Sequence, residues 1–169
     1  MRKVLKNSGK LFTLGFFVFF SIFISGCVND FSDEESDVPT TDATATMTSI
    51  ILNPPEFSKV SKSSSISYDI DYEIIEFDLN NTYKLRYYIH DTKTGWNYPV
   101  GSANITSAIG NVTGSISVGK FHSCYTIFFT KVCTPKTAYP YRLYFSIVEE
   151  IPDYTFYIGK SSTYIYNTP

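Results

Sequence analysis

The chain has 169 residues, room for one ordinary domain, with a net charge of −2 and aromatic residues making up 17% of the sequence. From residue 46 onward ten bases meet ten acids. A neutral domain lacks the clustered Lys and Arg that a nucleic-acid partner requires, so that class of partner is excluded.

The first 26 residues differ in kind from the rest. Arg2, Lys3, Lys6 and Lys10 open the chain without one acid, and Leu11–Ser25 then runs uncharged for 15 residues. As a helix this run would span roughly 22 Å at ~1.5 Å per residue, short of a bilayer core of ~30 Å. Six of the 14 Phe fall here, whereas all 14 Tyr lie at Tyr68 or later. The pattern is that of an export signal. Its end, Ile24-Ser25-Gly26-Cys27, resembles the lipobox of prokaryotic lipoproteins: an aliphatic residue, two small residues and a Cys. The resemblance implies cleavage ahead of Cys27, lipid on the Cys27 thiol, and a chain anchored in a cell membrane or outer membrane facing away from the cytoplasm. Val28 in place of an Asp implies the outer membrane where the cell has one. An uncleaved anchor with an incidental Cys is the competing reading, and it leaves the remainder facing outward as well.

Residues 28–45, VNDFSDEESDVPTTDATA, are polar and acidic with one isolated Phe. Such a stretch buries too little apolar surface to offset its ordering entropy, and with Cys27 it is predicted to be a disordered tether over 27–45. Its 18 residues reach at most ~60 Å.

From residue 46 the apolar period is two. Strands are predicted near Met47–Leu52, over Ile66–Glu73 and Tyr83–Ile89, near Tyr98–Ile105 and Ile109–Val118, over Tyr141–Ile147 and Thr155–Ile158, and near Ser162–Tyr166. Turn residues separate them at Asn80-Asn81, at Asp91–Gly95 and between Pro135 and Pro140. No segment sustains a helical stripe. Seven to nine short strands over residues 46–169 predict an all-β fold, an antiparallel β-sandwich behind a signal helix and a tether. Their order and spacing resemble an immunoglobulin or fibronectin type III module, and Thr137-Ala138-Tyr139-Pro140-Tyr141 resembles a tyrosine corner. The Cys…Trp…Cys core of antibody domains is missing, and Trp96 follows a turn instead of sitting mid-strand.

With Cys27 lipidated, Cys124 and Cys133 form an even pair in an oxidising compartment, which predicts a disulfide. Yet CYTIFFTKVC also reads as a strand, and a straight strand would hold the two Cα atoms roughly 30 Å apart at ~3.3 Å per residue. A disulfide needs ~4.4–6.8 Å. If the bond forms, the segment folds back and presents Ile127, Phe128 and Phe129 as a stapled tip for a partner. The alternative is that these side chains tuck into the sandwich.

Tyr87-Tyr88, Tyr144-Phe145 and Phe156-Tyr157 each place one ring on either face of a strand. That puts Tyr88, Tyr144 and Tyr157 on an outer face, where Tyr suits protein or glycan contact, unless a neighbouring loop covers them. Asp69, Asp71 and Glu73 share a strand face ~6.6 Å apart, which predicts a solvated face with Lys84 and Arg86 as partners and no metal. His90 and His122 lie in no H-x-x-x-H, C-x-x-C or G-x-S-x-G spacing, so neither a catalytic residue nor a cofactor is predicted. Sequons at Asn80, Asn104 and Asn111 matter only in a cell that glycosylates exported Asn.

Three classes of function follow. The first is a non-enzymatic binding or assembly module, held at the membrane by Cys27, for an extracellular protein or glycan. The second is a structural subunit that adds edge strands to an envelope layer or appendage. The third is an envelope hydrolase without a recognisable motif.

Overall fold

The computed structural model describes residues 39–169. The signal over 1–26, the lipidation site Cys27 and the tether up to residue 38 lie outside the described residues.

The described chain is all-β. In order it forms β1 (Thr44–Asn53), β2 (Ser65–Ile75), β3 (Thr82–His90), β4 (Asn97–Ile105), β5 (Ile109–Ser117), a 3-10 turn over Val118–Phe121, β6 (His122–Ile127), β7 (Thr130–Pro135), β8 (Tyr141–Ile151), β9 (Tyr154–Lys160) and β10 (Tyr164–Tyr166). All eight predicted strands are present. The count rises to ten because residues 124–133 form two strands and not one. β1 takes Thr44 and Ala45 from the stretch assigned to the tether, and Ala43 is buried ahead of it.

Alternation explains the elements. In β2, Ile66, Tyr68, Ile70, Tyr72 and Ile74 are all buried and the residues between them are exposed. β3 and β8 carry the same inward pattern, Tyr83, Leu85, Tyr87 and Ile89 in one and Tyr141, Leu143, Phe145 and Ile147 in the other. One antiparallel sheet has the order β1-β2-β5, and the other runs β10-β8-β3-β4, with β9 continuing the β10 edge along β8. Their inner faces meet in one apolar cluster, an antiparallel β-sandwich. Burying each large side chain there stabilises the fold by ~1.5–3 kcal/mol.

Aromatic bulk is fitted between the layers by a repeated device. Tyr68, Tyr72 and Tyr87 each pair across strands with a glycine, Gly114, Gly110 and Gly101 respectively. A Cβ at Gly114 would stand 2.4 Å from the Tyr68 hydroxyl oxygen, and one at Gly101 would stand 2.4 Å from the Tyr87 ring. Each ring therefore lies over bare backbone of the neighbouring strand. Tyr68, Tyr87 and Phe145 then meet at centroid distances of 5.5–6.2 Å.

Strand register defines two poles. Thr44 lies opposite Ile75, and Thr82 lies opposite Glu150. These residues and the β4–β5 and β8–β9 turns form the proximal pole, where the chain enters the sandwich. Asn53 opposite Ser67, His90 opposite Asn97 and Tyr166 opposite Tyr141 mark the distal pole. The β6–β7 hairpin arises at the distal pole, between the end of β5 and the start of β8.

Candidate functional site

Tyr88, Tyr144 and Tyr157 come together on the outer face of the larger sheet. Strand parity sends Tyr87 and Phe145 into the core and these three rings outward. Tyr88 and Tyr144 face each other in register and stack at 5.2 Å with an interplanar angle of 14°. The Tyr157 hydroxyl lies 3.3 Å from that of Tyr88, and the Lys160 ammonium sits 4.3 Å above the Tyr144 ring. All three rings lie on the outer face, but they are not equally open. Tyr88 and Tyr144 are each only 5% exposed, because they cover one another under Lys160 and Tyr157, whereas Tyr157 is 64% exposed.

The cluster lines a cleft of about 510 Å³, with Tyr88, Tyr144 and Ser146 as floor, Tyr157, Gly159 and Lys160 on one side and Asn97 opposite. Burial, then the neighbouring Tyr88 and Tyr157, pushes the Tyr144 hydroxyl up to about 12. Burial and the Tyr157 hydroxyl also raise Tyr88. Near neutral pH both are uncharged phenols that donate and accept hydrogen bonds. Asn97, Ser146 and Lys160 carry no local pattern that marks them, since they reach the cleft from three strands through pairing distant in sequence.

The β6–β7 hairpin resolves the conflict over Cys124 and Cys133. The two residues are direct cross-strand partners, and their sulfurs stand at disulfide distance. A single straight strand over 124–133 is thereby ruled out. Ile127 pairs with Thr130, so the loop has two residues, Phe128 and Phe129, with φ of 44° and 67°. Positive φ at both positions is the requirement of a type I′ turn, which favours Asn-Gly. Phe there costs about 1–2 kcal/mol per residue. The rings do not tuck into the sandwich: Phe128 is 92% and Phe129 102% exposed. Ile127 and Tyr125 flank them in the open.

The hairpin base is fixed. Phe121 is fully buried against Tyr141, with ring centroids 5.1 Å apart. His122 holds the Val118 carbonyl at 3.2 Å and the Tyr141 hydroxyl at 3.1 Å, and the Lys136 N–H donates to the Phe121 carbonyl at 2.8 Å. Tyr141, in the segment resembling a tyrosine corner, thus bonds the hairpin's histidine.

The remaining sites are dispersed. His90 bonds Asn97 at 2.8 Å, far along the chain from His122. Asp69 and Asp71 are exposed and share the Asn111 amide, whose Nδ2 donates to both at 2.5 and 2.8 Å. Lys84 and Arg86 do not reach these acids, because β2 and β3 belong to different sheets. Both pair instead with Glu150, Lys84 at 2.6 Å. Asn80 and Asn104 are exposed, in a turn and on β4. Among the described residues no group of three or more His, Cys, Asp or Glu could hold a metal ion.

One buried carboxylate escaped the sequence reading. Glu149 is 3% exposed and accepts from the Tyr83 hydroxyl at 2.6 Å, the Asn81 amide at 2.8 Å and the Thr41 hydroxyl. Burial raises its pKa, but the three donors together outweigh that and leave it below the usual carboxylate value. The alternation Tyr141, Leu143, Phe145, Ile147 puts position 149 next on the inward face, and that was the available clue. Glu149 clasps the segment ahead of β1 to β3 and β8 at the proximal pole.

No known protein family matches the chain, and no curated protein matches it.

Proposed function

We propose that the protein is a lipid-anchored, non-enzymatic binding module on the outside of a prokaryotic cell, its sandwich of the immunoglobulin or fibronectin type III kind, and that it binds a glycan in the Tyr88–Tyr144–Tyr157 cleft. The single observation behind the binding site is the exposed Tyr157 ring beside a cleft floored by two stacked phenols and edged by Lys160 and Asn97. Aromatic faces suit the C–H faces of a sugar ring, while neutral hydroxyls, an amide and an ammonium suit its hydroxyls or an acidic substituent. The lipobox at Ile24–Cys27 supports the anchor. The strand order β1-β2-β5 against β9/β10-β8-β3-β4 supports the module type.

Titration of the isotope-labelled protein with a panel of neutral and acidic oligosaccharides tests the cleft. Shifts should gather at Asn97, Tyr157 and Lys160 and vanish in Tyr157→Ala, which removes an exposed ring and leaves the core intact. Shifts elsewhere, or none with any glycan, would overturn the glycan reading, and shifts with an envelope protein alone would replace it. Intact-mass analysis of the native protein tests the anchor. A mass that begins at Cys27 with added acyl groups is expected, and one that begins at Met1 without lipid would sink it.

A further inference from the structure

We propose that the distal pole docks onto an anionic lipid bilayer apposed to the one that holds the chain, with Phe128 and Phe129 entering the headgroup boundary. The first reason is the tip itself. A two-residue turn with positive φ at both positions is easiest for Asn-Gly, yet here it carries two phenyl rings held almost wholly in solvent. The Cys124–Cys133 pairing and the Phe121–His122–Tyr141 base fix the direction in which those rings project.

The second reason is charge. Between Asp91 and Glu149 the sequence holds no carboxylate at all. That stretch places Lys120, Lys131, Lys136 and Arg142 on and around the hairpin, and the neighbouring distal loops add Lys62 and Lys93. Two acids, each still charged, stand against these six bases. Asp91 accepts from the Lys93 N–H and the Thr94 hydroxyl within its own turn, and Glu56 accepts from the Ile165 N–H. Exposed Phe57, Trp96 and Tyr139 complete an aromatic rim of the type that settles at headgroup level. An apolar tip with a basic collar matches an anionic bilayer, whereas a protein pocket for two phenyl rings has no need of the collar.

The third reason is polarity along the molecule. Asp42, Glu73, Glu76, Asp78 and Asp153 gather at the proximal pole, where the chain enters. An anionic surface therefore repels the proximal pole and attracts the distal one. The docking stands on the distal pole alone; that the docked bilayer is a second one rests on the anchor proposed above.

The test reconstitutes the full chain into phosphatidylcholine donor vesicles and adds labelled acceptor vesicles, either phosphatidylcholine alone or mixed with phosphatidylglycerol. Donors should capture the anionic acceptors and leave the neutral ones, with capture falling as salt rises. Phe128→Asn with Phe129→Gly suits the turn and keeps the hairpin folded, as unchanged amide exchange in β6 and β7 would verify. It should weaken capture at least about tenfold. Lys120→Gln, Lys131→Gln and Lys136→Gln together should weaken it about a hundredfold. Equal capture of neutral acceptors, or full capture by the tip variant, would overturn the proposal. A chain that floats with donors but captures nothing overturns it and leaves the anchor standing. A chain that does not float with donors overturns the anchor, and its direct sedimentation with anionic vesicles then decides the docking.

Discussion

The body of the sandwich and the β6–β7 hairpin use the same residue types to opposite ends. In the body, Tyr68, Tyr87 and Phe145 disappear between two sheets, each tyrosine lying over a glycine of the next strand. In the hairpin, Tyr125, Phe128 and Phe129 stand in solvent. Composition does not separate the two cases. What separates them is whether a second sheet lies within about 10 Å to receive the side chains. β6 and β7 pair only with each other, so neither face of that ribbon has a facing layer. A two-stranded ribbon is marginal by itself and depends on its cross-link and its anchored base.

Three measurements press on this contrast. The largest effect belongs to the body. Phe145→Ala leaves a cavity between the layers and should cost about 3–5 kcal/mol in urea denaturation, against little change for the fully exposed Phe129→Ala. Similar losses at both positions would erase the distinction. The next concerns the hairpin alone. Cys124→Ser with Cys133→Ser should lower the opening free energy of β6 and β7 by about 2–3 kcal/mol, read by amide exchange, with β2, β3 and β8 unaffected. Loss of protection throughout the sandwich would mean that the staple supports the body as well.

The smallest effect is at the proximal pole, where the body is tied to the segment ahead of β1. Glu149→Gln sets an amide among donors and should cost about 1–3 kcal/mol. The folded pKa of Glu149 lies below its unfolded value of about 4.3, so its contribution is complete above that pH and is lost as the pH falls through the folded value. The Gln variant should therefore show a shallower loss of stability in acid than the parent, and equal slopes would remove Glu149 from that account.

Much of the body was legible in sequence because a period of two is a local property. Ile66 through Ile74 and Tyr141 through Ile147 declare their inward face without reference to any partner. The hairpin was not legible as a turn. Phe128-Phe129 is flanked by β-branched residues and carries no Gly, Asn or Pro, so CYTIFFTKVC reads as continuous strand. Only the Cys pair hinted otherwise. At the candidate site, parity sent Tyr88, Tyr144 and Tyr157 outward, but their burial depended on the register that sets Tyr88 opposite Tyr144. That register arises from pairing between residues more than fifty positions apart. The cross-strand glycines escaped notice for the same reason.

The seam between the two sheets has a consequence for colloidal behaviour. β1 and β9 are the outer strands of different sheets, and they meet where a Cβ at Gly159 would stand 2.5 Å from the Ala45 carbonyl oxygen. That approach shields two rows of backbone donors and acceptors that would otherwise template strands from other copies, in a domain rich in β-branched and aromatic residues. Any larger side chain at 159 wedges the seam open. The hydrogen atom at that position thus lets these two outer strands lie against each other.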